Sequence, residues 1–351
     1  MNVISSMVIG GFETQVISTH HRGGDWFVNS HIEILRIGKT YGSVTNRYLC
    51  YLKFTIIGFW KILKFKPRAI LLYESYSVLP VFLYSIIFPK VNLLAHYHEF
   101  ESKTEKQCAS VYSKFLYFIE KRLLLKAIWV SQTNSERKQK FQELYTQLDE
   151  RQVRVFPNFP SKKWVEKGIN RKIENSGILK FIHVGSLGIE TTYISEFLEW
   201  IQAQNGMATL TVVSQNLEQA VIDLINQNQW VTLIPNIPYQ ELPEMIVEHD
   251  IGVVLYTGHV PNFIYNVPNK VNEYLACGLH VWYSDVLIST HKFAEENPKY
   301  PLYSVDFSMG KELNALEYSS EPFEFKHWHE GAVQPLIDSI KQAMDSSLNT
   351  F

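Results

Sequence analysis

In the second half of the chain, short apolar runs alternate with amphipathic stretches. Runs at 179–186 (LKFIHVGS), 208–214 (ATLTVVS), 230–237 (WVTLIPNI), 250–256 (DIGVVLY) and 280–285 (HVWYSD) read as strands. Between them, 191–204, 217–228, 239–249 and 268–277 space their apolar residues as helices do. This alternation predicts βαβ units and a parallel sheet covered on both faces. The first half repeats the theme less cleanly. Strands are expected at 14–19, 31–37, 68–74, 91–100, 127–133 and 153–158, and helices at 46–66 and 105–126. A final amphipathic helix is expected at 333–347.

The pattern therefore predicts an α/β protein of two doubly wound Rossmann-like domains. Residues 1–163 form the first and 164–325 the second. The remainder, 326–351, is a helix packing back toward the first domain. The polar stretch 160–177 is read as the link. The N-terminus departs from the scheme. Only Gly10 to Glu13 separate an apolar run from the strand at 14–19, and a parallel crossover needs about a dozen residues. The favoured reading makes 2–11 the tail of a helix stopped by Gly10 and Gly11. The first βα unit is then incomplete, without its opening strand and glycine turn.

Composition narrows the class. At 351 residues, 46% hydrophobic and 19% charged, the chain suits two globular domains. Cys50, Cys108 and Cys277 match no zinc or redox spacing, which suggests a reducing, cytoplasmic setting. Net charge is −2, yet the first 163 residues carry 23 Lys and Arg against 12 Asp and Glu, and the rest 10 against 23. Either the two halves attract each other, or the basic half meets an anionic membrane surface or acceptor. No nucleic-acid motif accompanies the charge, so nucleic acid is not expected as a partner. The apolar runs 54–60 and 76–89 fall short of the roughly 18–20 residues of a bilayer span, and no signal peptide is evident. The helix at 46–66 carries Arg47, Lys53, Lys61, Lys64 and Lys66 around Trp60. It reads as an interfacial helix or as a core helix with snorkelling lysines.

Two such domains hold ligands at the carboxyl ends of their strands. The chain lacks the glycine fingerprint of dinucleotide enzymes and the P-loop motif. No two aspartates stand two apart, so an Asp-x-Asp metal site is excluded. Gly185 and Ser186 end a strand. They make either an ordinary turn or the start of a helix whose N–H groups face a diphosphate. In 266–285, Asn266 is placed to cap a helix whose first turn holds Pro268. Asn269 and Glu273 are four apart and are expected on one face, with Lys270 beside Glu273. A cation near a helix N-terminus opposes the dipole. A bound diphosphate accounts for it, with Glu273 accepting ribose hydroxyls; a solvated Lys–Glu pair is the other reading. His98, with Glu99 beside it, ends a buried-looking strand. It is a candidate at a reacting centre, or a plain core histidine. His96 and His98 share a strand face without a third metal ligand in view. The segment HWHE (327–330) reads as structural.

In order along the chain, HYHEF (96–100), FPNFP (156–160), FIHVGSLG (181–188), TLIPNIPYQELPEMIVEHDIGVVLY (232–256) and, most specifically, PNKVNEYLACGLHVWYSD (268–285) resemble the motifs of GT-B glycosyltransferases of the family-4 type, enzymes of bacterial surface polysaccharides. The resemblance implies two Rossmann-like domains facing a cleft. It implies retaining, metal-independent transfer from a UDP- or GDP-linked sugar to a lipid-linked or polysaccharide acceptor, with no further cofactor. It places Lys270, Gly185 and Ser186 at the diphosphate, Glu273 at the ribose and His98 at the reacting sugar. Location would be cytoplasmic, at the inner membrane face. Two departures stand out. Tyr265 occupies the position of the family's first glutamate, and no Arg or Lys follows the glycine turn before Trp200. The alternatives are a non-catalytic nucleotide-binding subunit and a nucleotide-sugar epimerase.

Overall fold

A computed structural model describes residues 2–20, 32–39, 43–171, 177–215, 217–235, 237–313 and 323–348. The chain divides into two compact units, 1–157 with 330–351, and 158–329.

The first unit runs α1 (Asn2–Ile9), β1 (Gln15–His20), β2 (Glu33–Lys39), α2 (Val44–Phe65), β3 (Ala69–Tyr73), α3 (Val78–Ile87), β4 (Asn92–Tyr97), α4 (Lys103–Cys108), α5 (Val111–Leu124), β5 (Ala127–Gln132), α6 (Ser135–Leu144) and β6 (Val153–Val155). Strands β1 and β2 form one parallel pair; β3-β4-β5-β6 form a separate parallel sheet in sequence order. The apolar N-terminal run is a helix, and Gly11 leaves it with φ +84°, a conformation glycine adopts without a Cβ penalty. Helix α2 starts where the Ser43 side chain accepts the Asn46 N–H, and stops at Lys66 before Pro67. The single helix expected at 105–126 is two. Ala109 is extended and Ser110 caps α5 through the Ser113 N–H, so the cap outcompetes continuation.

The second unit runs α7 (Lys162–Ile169), β7 (Leu179–Val184), α8 (Ile194–Ala203), β8 (Ala208–Val213), α9 (Gln219–Asn226), β9 (Val231–Ile234), α10 (Leu242–Ile246), β10 (Ile251–Val254), α11 (Pro261–Ile264), α12 (Asn269–Ala276), β11 (His280–Ser284), α13 (Ile288–Glu296) and β12 (Leu302–Val305). Its six strands are all parallel, in the order β12-β11-β10-β7-β8-β9. Counted from β7 this is the doubly wound order 3-2-1-4-5-6, whose direction reverses between β7 and β10. The stretch expected as a link folds instead into α7, with Trp164 and Val165 buried among α10, α12 and β11 side chains. Arg171 clamps that corner. It donates to the carbonyls of Val247, His249 and Gly278 and to Asp250 Oδ1 at 2.9 Å. His327 stacks on Phe159, and Trp328 packs in the same core.

After α14 (His329–Ala332), α15 (Gln334–Leu348) belongs to the first unit. There Leu336, Ile337 and Ile340 pack with Met7 of α1, Leu94 and Trp129. Among the described residues, no helix is long and apolar enough to cross a membrane.

Candidate functional site

In the second unit, the candidate residues gather where the strand order reverses. Strand β7 ends in His183 and Val184, and Gly185 follows. The Gly185 N–H donates to the Val213 carbonyl of β8, and its φ of +121° turns the chain away. On the other side of β7 lies β10. His183 is fully buried, with Nδ1 3.1 Å from the Val253 carbonyl of that strand. The open side of Gly185 is filled by Lys270: a Cβ there would stand 3.3 Å from Nζ. Lys270 Nζ also lies 3.4 Å from His183 Nε2 and 5.0 Å over the Tyr256 ring. Only 8% of Lys270 is exposed. Burial, then the nearby Lys270 charge, holds the His183 imidazole well below its ordinary pKa, so it is neutral near pH 7.

Lys270 reaches this point because α12 is buried nearly all round. Its Tyr274 ring lies flat against Gly252 of β10, where a Cβ would come within 2.0 Å, and its hydroxyl accepts the Val184 N–H at 2.9 Å. One turn beyond Lys270, Glu273 is also buried, and Tyr239 OH donates to its Oε1 at 3.1 Å. Burial pushes the Glu273 carboxyl up to about 7, against the lowering effects of Tyr239 and Lys270. The site thus places a lysine ammonium, the first turn of a helix and a hydrogen-bonded carboxyl by the carboxyl ends of the central strands, where doubly wound folds take ligands.

Three local expectations are corrected. Gly185 and Ser186 do not open a helix, because α8 begins only at Ile194 and residues 186–193 form an irregular turn. Asn266 does not cap α12. Pro268 holds that position without a side-chain hydrogen bond, and the Asn266 carbonyl instead accepts Thr290 Oγ1 at 2.9 Å. Asn269 does not share a surface with Glu273: it is exposed where α12 begins, while Lys270 and Glu273 turn into the fold. Tyr265 is half-buried just past the end of α11 and bonded through its N–H to the Pro261 carbonyl. Residues not foreseen are His183, Tyr239, Tyr256 and Tyr274. Each lies inside a quoted motif, but only the packing shows which way its ring points.

His98 sits in the first unit, one residue past β4. Its ring stacks on Tyr73 and meets His96 edge-on at 4.5 Å. Its N–H donates to Glu74 Oε1 at 2.6 Å, as the Glu99 N–H does at 3.2 Å. Arg137 donates to its carbonyl and, at 3.1 Å, to Thr133 Oγ1. Glu74 has φ +58°, a strained backbone for a non-glycine residue, held by those two hydrogen bonds at a strand end. Burial raises the Glu74 carboxyl to about 7 and lowers His98 to about 4, so His98 is neutral across the physiological range. Among the described residues, no three His, Cys, Asp or Glu side chains converge as metal ligands would.

No protein-family model and no curated protein sequence matches the chain. Solved structures do. A sucrose-phosphate synthase of Thermosynechococcus elongatus superposes with TM-score 0.63 at 15% identity, over 98% of this chain and 87% of that one. WaaG, a glycosyltransferase involved in lipopolysaccharide biosynthesis, gives 0.58 at 12% over 100% and 90%. HepE of Anabaena, solved in complex with UDP, gives 0.56 at 11% over 97% and 100%. At these identities the likeness defines the fold. It is the GT-B fold of two Rossmann-like domains that such glycosyltransferases share.

Proposed function

We propose that this protein is a glycosyltransferase that takes a sugar from a UDP- or GDP-linked donor. The observation that carries the proposal is the Lys270 ammonium packed against Gly185 at the strand-order reversal of the second unit. A lysine buried there lies where this fold takes phosphates, and no other Arg or Lys stands between the glycine turn and Lys270 to share the task. In this reading Lys270, with the backbone at Gly185 and Ser186, neutralises the leaving diphosphate electrostatically and without a metal. Glu273, pre-oriented by Tyr239, accepts the ribose hydroxyls. Neutral His98, fixed by Glu74 and Arg137, contacts the reacting sugar. Transfer proceeds with retention to a lipid-linked or polysaccharide acceptor, at the inner face of the membrane. The GT-B relatives support the class, and HepE, solved with UDP, supports the donor type.

Calorimetry with UDP and GDP tests it. The wild type is expected to bind one of them, and Lys270→Ala to lose about 10- to 100-fold in affinity, the worth of a charge-assisted hydrogen bond. No binding by the wild type, or unchanged binding by Lys270→Ala, overturns the reading. Unchanged binding by Glu273→Ala sinks the ribose assignment alone. Tyr265, standing where the resemblance expects a glutamate, favours one second reading, a nucleotide-binding subunit without transfer activity. Nucleotide binding without release of nucleoside diphosphate from any donor, under conditions that turn over an active transferase, would decide for it.

A further inference from the structure

The outer helices of the first unit present a second apolar surface. α3 and α5 pack on the β3-β4-β5-β6 sheet and on each other, and α2 packs on α3 and on the β1–β2 pair; Ile62, Val78, Val81, Ile119 and Leu123 of the three helices share one core. The faces that these neighbouring helices turn away from that core are apolar too. On α2, Leu52, Ile56 and Trp60 recur every four residues and are 57%, 50% and 66% exposed, while Cys50, Thr55, Gly58 and Ile62 turn inward. On α3, Ile86 is 61% exposed; on α5, Phe115 and Phe118 stand open one turn apart. The Tyr48–Tyr112 and Tyr51–Tyr112 ring contacts join α2 to the start of α5. A helix apolar on both faces is one that meets a second apolar medium.

Charge decides which medium. α2 contains no Asp or Glu, α3 contains no charged residue, and the one carboxylate of α5, Glu120, is fully buried. Glu120 accepts from Ser75 Oγ at 2.6 Å, Tyr97 OH at 2.8 Å and Tyr145 OH, with Lys106 Nζ at 3.6 Å. Around the apolar stripe, Arg47, Lys53 and Lys64 of α2 and Lys114 and Lys121 of α5 are exposed. Arg122 lies flat over the Phe118 ring, its guanidinium carbon 3.7 Å from the centroid. Lys61 is paired with Glu33 and does not count toward this charge. A second copy of this face would set those lysines against one another, and the cores of protein interfaces are poor in lysine. A bilayer with anionic headgroups complements both features at once.

We infer that the α2–α3–α5 face docks on an anionic phospholipid bilayer, seating Trp60, Ile56, Ile86 and Phe118 among the upper acyl chains and Lys53, Lys64, Lys114 and Lys121 among the headgroups. This deepens the proposed lipid-linked acceptor, and it is tested separately from it, since nucleotide binding reads the other unit. The experiment is co-sedimentation of the full chain with vesicles of phosphatidylcholine, with and without about 30% phosphatidylglycerol. Binding is expected to be at least about tenfold tighter with the anionic lipid and to weaken with salt. Trp60→Ser with Phe118→Ser, and separately Lys53→Glu with Lys114→Glu, are each expected to weaken it about tenfold or more. Melting temperature and nucleotide affinity should stay unchanged in both. Binding no tighter to anionic than to neutral vesicles, or unaffected by both double variants, overturns the inference. So does concentration-dependent dimerisation in sedimentation velocity that the apolar variant abolishes, which would make the face a contact between copies.

Discussion

The two units of this chain use the same βα alternation to opposite ends. The second unit buries polarity. Lys270, Glu273 and His183 lie buried within its fold by the central strands, each beside a polar partner. The first unit exposes apolarity, with Trp60, Ile86 and Phe118 left in the open on helices that could have been covered in polar side chains. A buried charge and an exposed apolar stripe are each unfavourable in an isolated, water-solvated domain. Each is the feature on which a proposed ligand rests, an anion in one unit and a lipid surface in the other.

The sharpest way to break the comparison is at Gly252. Its absent Cβ leaves the space into which the Tyr274 ring packs, and that packing draws α12 onto β10. Gly252→Ala is expected to cost more than about 3 kcal/mol. Calorimetric melting should show the second unit lost or loosened. A stable variant with unchanged nucleotide affinity would mean that the α12 packing does not position Lys270.

Glu273 offers a subtler probe. Its folded-state pKa, about 7, lies above the ordinary carboxyl value of 4.5. The folded chain therefore binds the proton more tightly than the unfolded chain. The stability this confers is fully present below about pH 4.5 and is lost as pH rises through 7. Glu273→Gln keeps an acceptor for Tyr239 and removes the titration. The variant should match the wild type near pH 4.5 and exceed it by on the order of 3 kcal/mol by pH 8. Urea unfolding at both pH values measures this; parallel pH profiles for the two proteins would contradict the burial argument. The smallest expected effect is at the exposed stripe. Trp60→Ser should shift stability in water by within about 0.5 kcal/mol, since the ring stands mostly in solvent. A large loss would show that Trp60 serves the fold rather than a surface.

Much of the architecture was legible in the sequence. The strand at 179–186, the helix at 268–277 and the final helix at 333–347 appear within a few residues of where periodicity put them. Their apolar runs are strong and their turn residues unambiguous, as with Gly278 after α12, whose φ is +78°. The break between α4 and α5 was not legible, because 105–126 holds no Gly or Pro to mark a stop and only the cap geometry at Ser110 interrupts the helix. The helix within 160–177 was masked by its polar composition, two apolar side chains being enough once they meet α12.

At the candidate site the division is similar. Sequence alone determined that Gly185, Lys270 and Glu273 deserved attention, because a cation in a first helical turn needs an anion to explain it. It also determined the parallel, doubly wound class, because hydrophobic period is a local property of the chain. Only the tertiary structure decided that Asn269 points away while Lys270 turns in, that His183 and Tyr239 are the partners, and that Gly185 leads into an irregular turn rather than a helix. The reason is physical. Which flank of α12 is buried depends on the Tyr274–Gly252 contact, between side chain and backbone 22 residues apart in sequence, and the strand-order reversal that marks the site depends on pairing β7 with β10. Neither leaves a trace in any local window of the sequence.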